Sequence, residues 1–274
     1  MLGRLLVGIA ITLGAGSARA PAYADDGLGG GARTRGDGPR HVVAFTFDDG
    51  PSEYWTPRIL RALAAHDVPA TFFVIGRDLD QRPKRRALLG AIVKAGHTIG
   101  NHTFNHARLN DLAPATRDAE LDALAALVEK ETGLRPSVVR PPYGESSHKV
   151  RAAFAARGLT EVLWNIDPRD WEIDDPTQLR TAILASITHA GGGIVILHDT
   201  ERATAHAFAD ALADLEAWNC KRLRRGKEPI IPVSLHYFLR DGDKPRPIPP
   251  DVEARTKRYR DALAARCAPE PNVN

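Results

Sequence analysis

Between residues 41 and 240, short apolar runs alternate with longer stretches of helical spacing. The first run, residues 41–47 (HVVAFTF), ends on two adjacent carboxylates, Asp48 and Asp49, followed by Gly50-Pro51. Thr56-Pro57 supplies an N-cap and a first-turn proline for a helix to Ala65. Residues 70–75 (ATFFVI) predict a second strand, and the helix after it carries Leu88, Leu89, Ile92 and Val93 and stops at Gly96. A short strand is expected over 97–100. Leu121, Leu124, Ala125 and Val128 share one face of a helix predicted over 114–132, with Gly133 ending it. Val138-Val139 then leads into Arg140. Further on, the pattern predicts helices over 150–157, 177–189 and 203–220, and strands over 161–166, 194–197 and 230–235. About seven β/α units in one series imply a parallel sheet with helices outside it. At this length a closed or nearly closed (β/α) barrel is the expected form, although alternation alone also allows an open sheet. Residues 241–274 are Pro-rich and then helical over 252–265, which reads as a C-terminal extension packed on the barrel.

Composition changes this picture little. The chain is 43% hydrophobic and 26% charged with a formal charge of +3, so it can bury a core and carries no strong field. Basic runs at 82–86 and 221–225 lack interleaved aromatics and read as solvated helix faces, not a nucleic-acid surface. The first 24 residues look like an export signal: Arg4, an apolar stretch over 5–14, and Ala22-Tyr23-Ala24 as a cleavage site. That stretch is too short to span a bilayer comfortably, so no membrane span is expected after cleavage, with an uncleaved anchor as the alternative. Residues 25–40 are rich in Gly and polar side chains and read as a flexible linker. Export would permit a Cys220–Cys267 disulfide, and two free thiols are the alternative, decided by a Cα separation that sequence does not contain.

In such barrels chemistry sits at the C-terminal ends of the strands. Five successive exits here deliver Asp48 and Asp49, His102 and His106, Arg140 and Tyr143, Asp167 and Asp170, then His198 and Asp199. If NHTFNH begins a helix, His102 and His106 face one way at metal-ligating separation, and a carboxylate from another exit would complete a site open to water and substrate. One of the paired aspartates can then be a ligand while the other stays free as a general base, held ionised by Arg140. His198 would serve as the acid. His66, His97, His148, His189, His206 and His236 have no identifiable partners and read as structural. Trp55, Trp164 and Trp218 read as core or groove wall, whereas Trp171 divides evenly between packing and lining a site.

The segments Thr46-Phe47-Asp48-Asp49-Gly50, His102-Thr103-Phe104-Asn105-His106, Arg140-Pro141-Pro142-Tyr143, Asp167-Pro168-Arg169-Asp170-Trp171 and Ile196-Leu197-His198-Asp199 resemble, in order, the motifs of the NodB-homology polysaccharide deacetylases, carbohydrate esterase family four. The resemblance covers residues 41–240. It implies a distorted (β/α) barrel of about seven parallel strands and a divalent metal, commonly zinc, with Co²⁺, Mn²⁺ and Ni²⁺ as alternatives. It also implies an acetylated glycan as substrate, either N-acetylglucosamine polymers or O-acetylated xylan. Carried over by position, Asp49, His102 and His106 would hold the metal, Asp48 would be the base, and Arg140 would pair with it. His198 would be the acid with Asp167 tuning it, the Tyr143 N–H would face the oxyanion, and Leu197 and Trp171 would shape the acetyl pocket. Asp170 would brace Arg140. The rivals are an acetylxylan esterase, a non-catalytic carbohydrate-binding barrel and, since two His and one carboxylate also hold ferrous iron, an oxygenase.

Overall fold

The computed structural model describes residues 28–30, 33–36, 38–241 and 243–268. The export signal expected over 1–24 lies outside them. In chain order the elements are β1 (Arg33–Thr34), β2 (Val42–Asp48), α1 (Thr56–Ala65), β3 (Ala70–Val74), α2 (Gly76–Gln81), α3 (Pro83–Lys94), β4 (Thr98–Asn101), α4 (Pro114–Thr132), β5 (Val138–Val139), α5 (His148–Ala155), β6 (Thr160–Val162), α6 (Pro176–Ala190), β7 (Gly193–His198), α7 (Arg202–Leu223), β8 (Ile231–Pro232), the hairpin β9 (Arg240–Asp241) and β10 (Lys244–Pro245), and α8 (Pro250–Cys267). Proline opens five of these helices, α1, α3, α4, α6 and α8, where its missing N–H costs nothing. Left-handed glycines, Gly133 and Gly191, close α4 and α6.

The main sheet is parallel throughout, in the order β1-β6-β5-β4-β3-β2-β7, with β8 also on β2. Just past β6 the chain crosses to the far edge, where Ile166 bridges Val195, so the barrel comes close to closing. The expected barrel is therefore present, with one addition. Residues 25–40 are not all a flexible linker: Leu28 is buried, and Arg33–Thr34 pair with Glu161 and Val162 as an extra strand. No helix among the described residues is long and apolar enough to cross a membrane.

Strand alternation divides the core. Phe45 and Phe47 of β2 point to the helix layer, where both meet the Phe208 ring of α7 edge-on at 5.2 and 5.1 Å. Thr46 and Asp48 therefore face the barrel interior. The C-terminal extension joins the core through Tyr259, Leu263 and Cys267, and Cys267 is bonded to Cys220 at a Cα separation of 4.9 Å. The bond ties α8 to α7 across 47 residues of chain, a closure worth about 3–4 kcal/mol. Cys267→Ser should therefore lower the midpoint of thermal unfolding by roughly 6–12 °C. A midpoint unchanged in Cys267→Ser would mean that the bond adds nothing to the barrel's stability.

Candidate active site

The register of β2 against β7 sets Asp48 directly beside His198, both facing inward at the strand ends. Asp48 is 2% exposed, and its Oδ1 accepts a hydrogen bond from Arg140 Nη1 at 2.7 Å. Arg140 is wholly buried. It donates further to Thr46 Oγ1 and to the carbonyls of Val162 and Leu163, and its guanidinium stacks 4.3 Å from the Phe73 ring centroid. None of these donors reaches Asp170, so the bracing of Arg140 by Asp170 expected from sequence is not what forms.

Asp49 follows with φ of +70°, which swings its side chain out of the strand alternation. Its Oδ1 lies 3.4 Å from Nε2 of both His102 and His106, and that oxygen is buried with no hydrogen-bond partner among the described residues. The two histidines do not lie on a helix as expected. They sit in a loop bent by positive φ at Thr103 and at His106 itself, with ring centroids 4.9 Å apart. Neighbouring elements fix that loop. Amides of Gly76 and Arg77 donate to the carbonyls of Thr103 and Phe104, and Glu120 of α4 accepts from the backbone and side chain of Asn105. Gly76 is required at its position because a Cβ there would lie 2.3 Å from the Phe104 ring.

The donor set suits a divalent cation. His102 Nδ1 is spent on the Arg140 carbonyl at 2.7 Å, which leaves its Nε2 as the ligand atom, and the three candidate atoms lie within 4.8 Å of one another. Charge is distributed to match. Burial works to raise Asp49, but His102, His106 and His198 bring it down to about 2. Burial pulls His106 down, and His102 beside it adds to the effect.

His198 is held through Asp170, not Asp167. Asp170 Oδ1 lies 2.8 Å from His198 Nδ1, while its Oδ2 accepts from the His198 amide and the Thr204 hydroxyl. Burial lowers the His198 pKa, but the hydrogen bond and charge of Asp170 outweigh it, and the imidazole is pushed up to about 9. Asp167 is exposed and, among the described residues, accepts only the Arg169 amide, because Arg169 at φ of +58° turns the loop so that Asp170 faces in.

Leu197 is also misplaced by the sequence reading. It is one residue from His198, so it faces the helix layer and is buried in the core. Ile196 shares the inward face with Thr46. Tyr143 lies at the rim with its ring 4.8 Å from that of His106, and Trp171 is 56% exposed beneath the Arg169 guanidinium. Asp199 was missed as a supporting residue. It is wholly buried and accepts from the Thr56 hydroxyl, and burial pushes it up to about 7. It packs so closely on the turn after Asp49 that a Cβ at Gly50 would lie 2.0 Å from its carboxylate.

Fold and site together define a parallel barrel hydrolase with a two-histidine, one-carboxylate centre. The polysaccharide deacetylase family model matches residues 35–162. A chitooligosaccharide deacetylase from Bradyrhizobium is 40% identical over 158 residues, 57% of this chain and 70% of that protein. The chain belongs to the polysaccharide deacetylase family and is an enzyme of that class. Among solved structures, the peptidoglycan deacetylase PdaC from Bacillus subtilis aligns with a TM-score of 0.57 at 28% identity, covering 68% of this chain and 97% of that one. A CE4 family pseudoenzyme from Bacillus anthracis aligns with a TM-score of 0.61 at 25% identity, over 68% of this chain and 65% of that one.

Proposed function

We propose that the chain is a metal-dependent hydrolase that removes N-acetyl groups from polysaccharides containing N-acetylglucosamine, either chitin oligomers or peptidoglycan. The observation that carries this reading is the convergence of Asp49, His102 and His106 beside an Arg140-paired Asp48 and an Asp170-paired His198. Since the fold is shared with a pseudoenzyme, fold alone does not argue activity. The complete set of side chains does.

Asp49, His102 and His106 would hold the metal, with zinc as the assignment that fits two imidazoles and one carboxylate. A divalent ion there supplies acidity to water and polarises the acetyl carbonyl. Asp48, fixed by Arg140, takes the proton from the attacking water. The Tyr143 backbone N–H would donate to the oxygen that becomes negative. His198, protonated at neutral pH, gives its proton to the departing amine nitrogen, and acetate leaves. Ile196 and Trp171 would bound the space for the acetyl methyl. Similarity to a chitooligosaccharide deacetylase and to a peptidoglycan deacetylase favours these two substrates over xylan. The leader-like first 24 residues and the Cys220–Cys267 bond support export. Comparison of acetate release from chitin oligomers and from O-acetylated xylan tests the substrate class. Release should be faster from the N-acetyl substrate, and preference for xylan would assign the site to esters.

A pH profile tests the roles of the two loop aspartates. The acid must be protonated, so activity is present below the His198 pKa and is lost as pH rises through about 9. Without Asp170 the alkaline limb should move down toward the ordinary imidazole value of about 6.5. Asp170→Asn is thus expected to shift that limb to lower pH, and Asp167→Asn to leave it in place. The reverse result would restore Asp167 as the partner of His198.

A further inference from the structure

A crevice of about 970 Å³ lies at the opposite end of the barrel, between the first turns of α8 and the starts of β3 and β4. His97, Thr98, Ser234, Asp251, Arg255 and Arg258 are among its lining residues. His97 is 7% exposed, and its Nδ1 accepts the Ala70 amide at 3.3 Å. In the neutral ring the proton therefore sits on Nε2. Burial, assisted by Arg255, draws the ring down to about 4 and so keeps it neutral. That Nε2 is buried with no hydrogen-bond partner among the described residues. A buried donor left unpaired is unfavourable, and an acceptor in the crevice would relieve it.

The surroundings specify the kind of acceptor. Helix α8 begins at Pro250 with no side chain capping its first turn, so its free amides add positive potential at the crevice. Arg255 and Arg258 follow on the same side of that helix, three residues apart. Arg255 spends Nε on Asp67 at 3.0 Å and Nη1 on the Gly96 carbonyl at 3.1 Å, which leaves Nη2. Arg258 makes no ion pair among the described residues. Asp251 is the one carboxylate in the lining, and with Arg255 paired to Asp67, Arg258 is the guanidinium that brings uncompensated charge.

We propose that this crevice is a second ligand site, separate from the active centre, which takes a phosphate or carboxylate group carried on a polyhydroxylated molecule. The oxyanion is held by Arg258, the remaining N–H groups of Arg255 and His97 Nε2–H, and Asp251 accepts from a neighbouring hydroxyl. The distance between the two ends of the barrel means that an anionic polymer held here leaves the active centre open.

The test is side-chain ¹⁵N NMR of the histidines in the full, metal-loaded chain during titration with inorganic phosphate. A saturable shift at His97 Nε2 is expected, and phosphate bound at the active centre would be read separately at His102, His106 and His198. Arg258→Gln, an exposed position, should weaken the affinity read at His97 about tenfold, the weight of one charge-assisted hydrogen bond. It should leave acetate release from chitin oligomers unchanged. Titration with glycerol phosphate and with glucuronate then separates a phosphate-bearing from a carboxylate-bearing ligand, and tighter binding of either than of inorganic phosphate supports the hydroxyl contact. No saturable shift at His97 with any of the three anions overturns the proposal. Equal affinities in the wild type and Arg258→Gln do so as well.

Discussion

Asp48→Asn is expected to lower turnover by about 10²–10⁴-fold, the range for loss of a positioned general base, while zinc affinity stays near that of the parent chain. The geometry separates the two functions. Asp49 supplies the oxygen that meets both imidazoles at 3.4 Å, whereas the nearest approach of Asp48 to His102 Nε2 is 3.7 Å and its Oδ1 is committed to Arg140. Asparagine keeps an acceptor for Arg140 Nη1 but has no basic oxygen for the water. Zinc binding by calorimetry, alongside acetate release, reads the two effects independently. His102→Ala should lose both. Near-normal acetate release by Asp48→Asn would assign the base elsewhere, and parallel loss of zinc would make Asp48 a ligand.

Arg140→Ala is expected to be the most disruptive single change in the site. It leaves the Asp48 carboxylate buried without its cation and strips the Val162 and Leu163 carbonyls of a donor. Breaking one side of a buried pair costs about 3–5 kcal/mol. The loss should appear in the denaturation midpoint as well as in activity. Arg140→Lys should rescue little of either, since one ammonium cannot reproduce a planar fork that meets four acceptors on β2 and at the end of β6. A stable but inactive Arg140→Ala chain would show that Arg140 serves catalysis alone.

The helices and most strands were legible because their signals are local. Proline at the first turn, glycine at the last, and apolar spacing in α4 depend on nothing distant. The strand β1 was not legible, because Arg33–Thr34 joins the sheet through backbone pairing within a Gly-rich stretch that has no apolar run. His102 and His106 were found as a pair, but for the wrong local reason. A spacing of four suggests a helix, whereas the actual bend rests on positive φ at Thr103 and His106 and on amides from α2 that sequence does not place nearby. Asp167 and Asp170 are three apart in one loop, and only the left-handed turn at Arg169 decides which faces His198. The error at Leu197 was avoidable. Alternation along a strand already puts Ile196, two residues before His198, on the inward face. No local signal marks Asp199 as a brace, since its partners Gly50 and Thr56 follow the neighbouring strand β2 and are far from it in sequence.

Acetate release from chitin oligomers by the zinc-loaded chain and by the same protein stripped of metal is the most direct test of the central claim. The account predicts release by the loaded protein, loss on stripping and recovery when zinc is returned. Equal release with and without metal would contradict it, as would a zinc-loaded protein that releases no acetate from chitin oligomers, peptidoglycan or acetylated xylan.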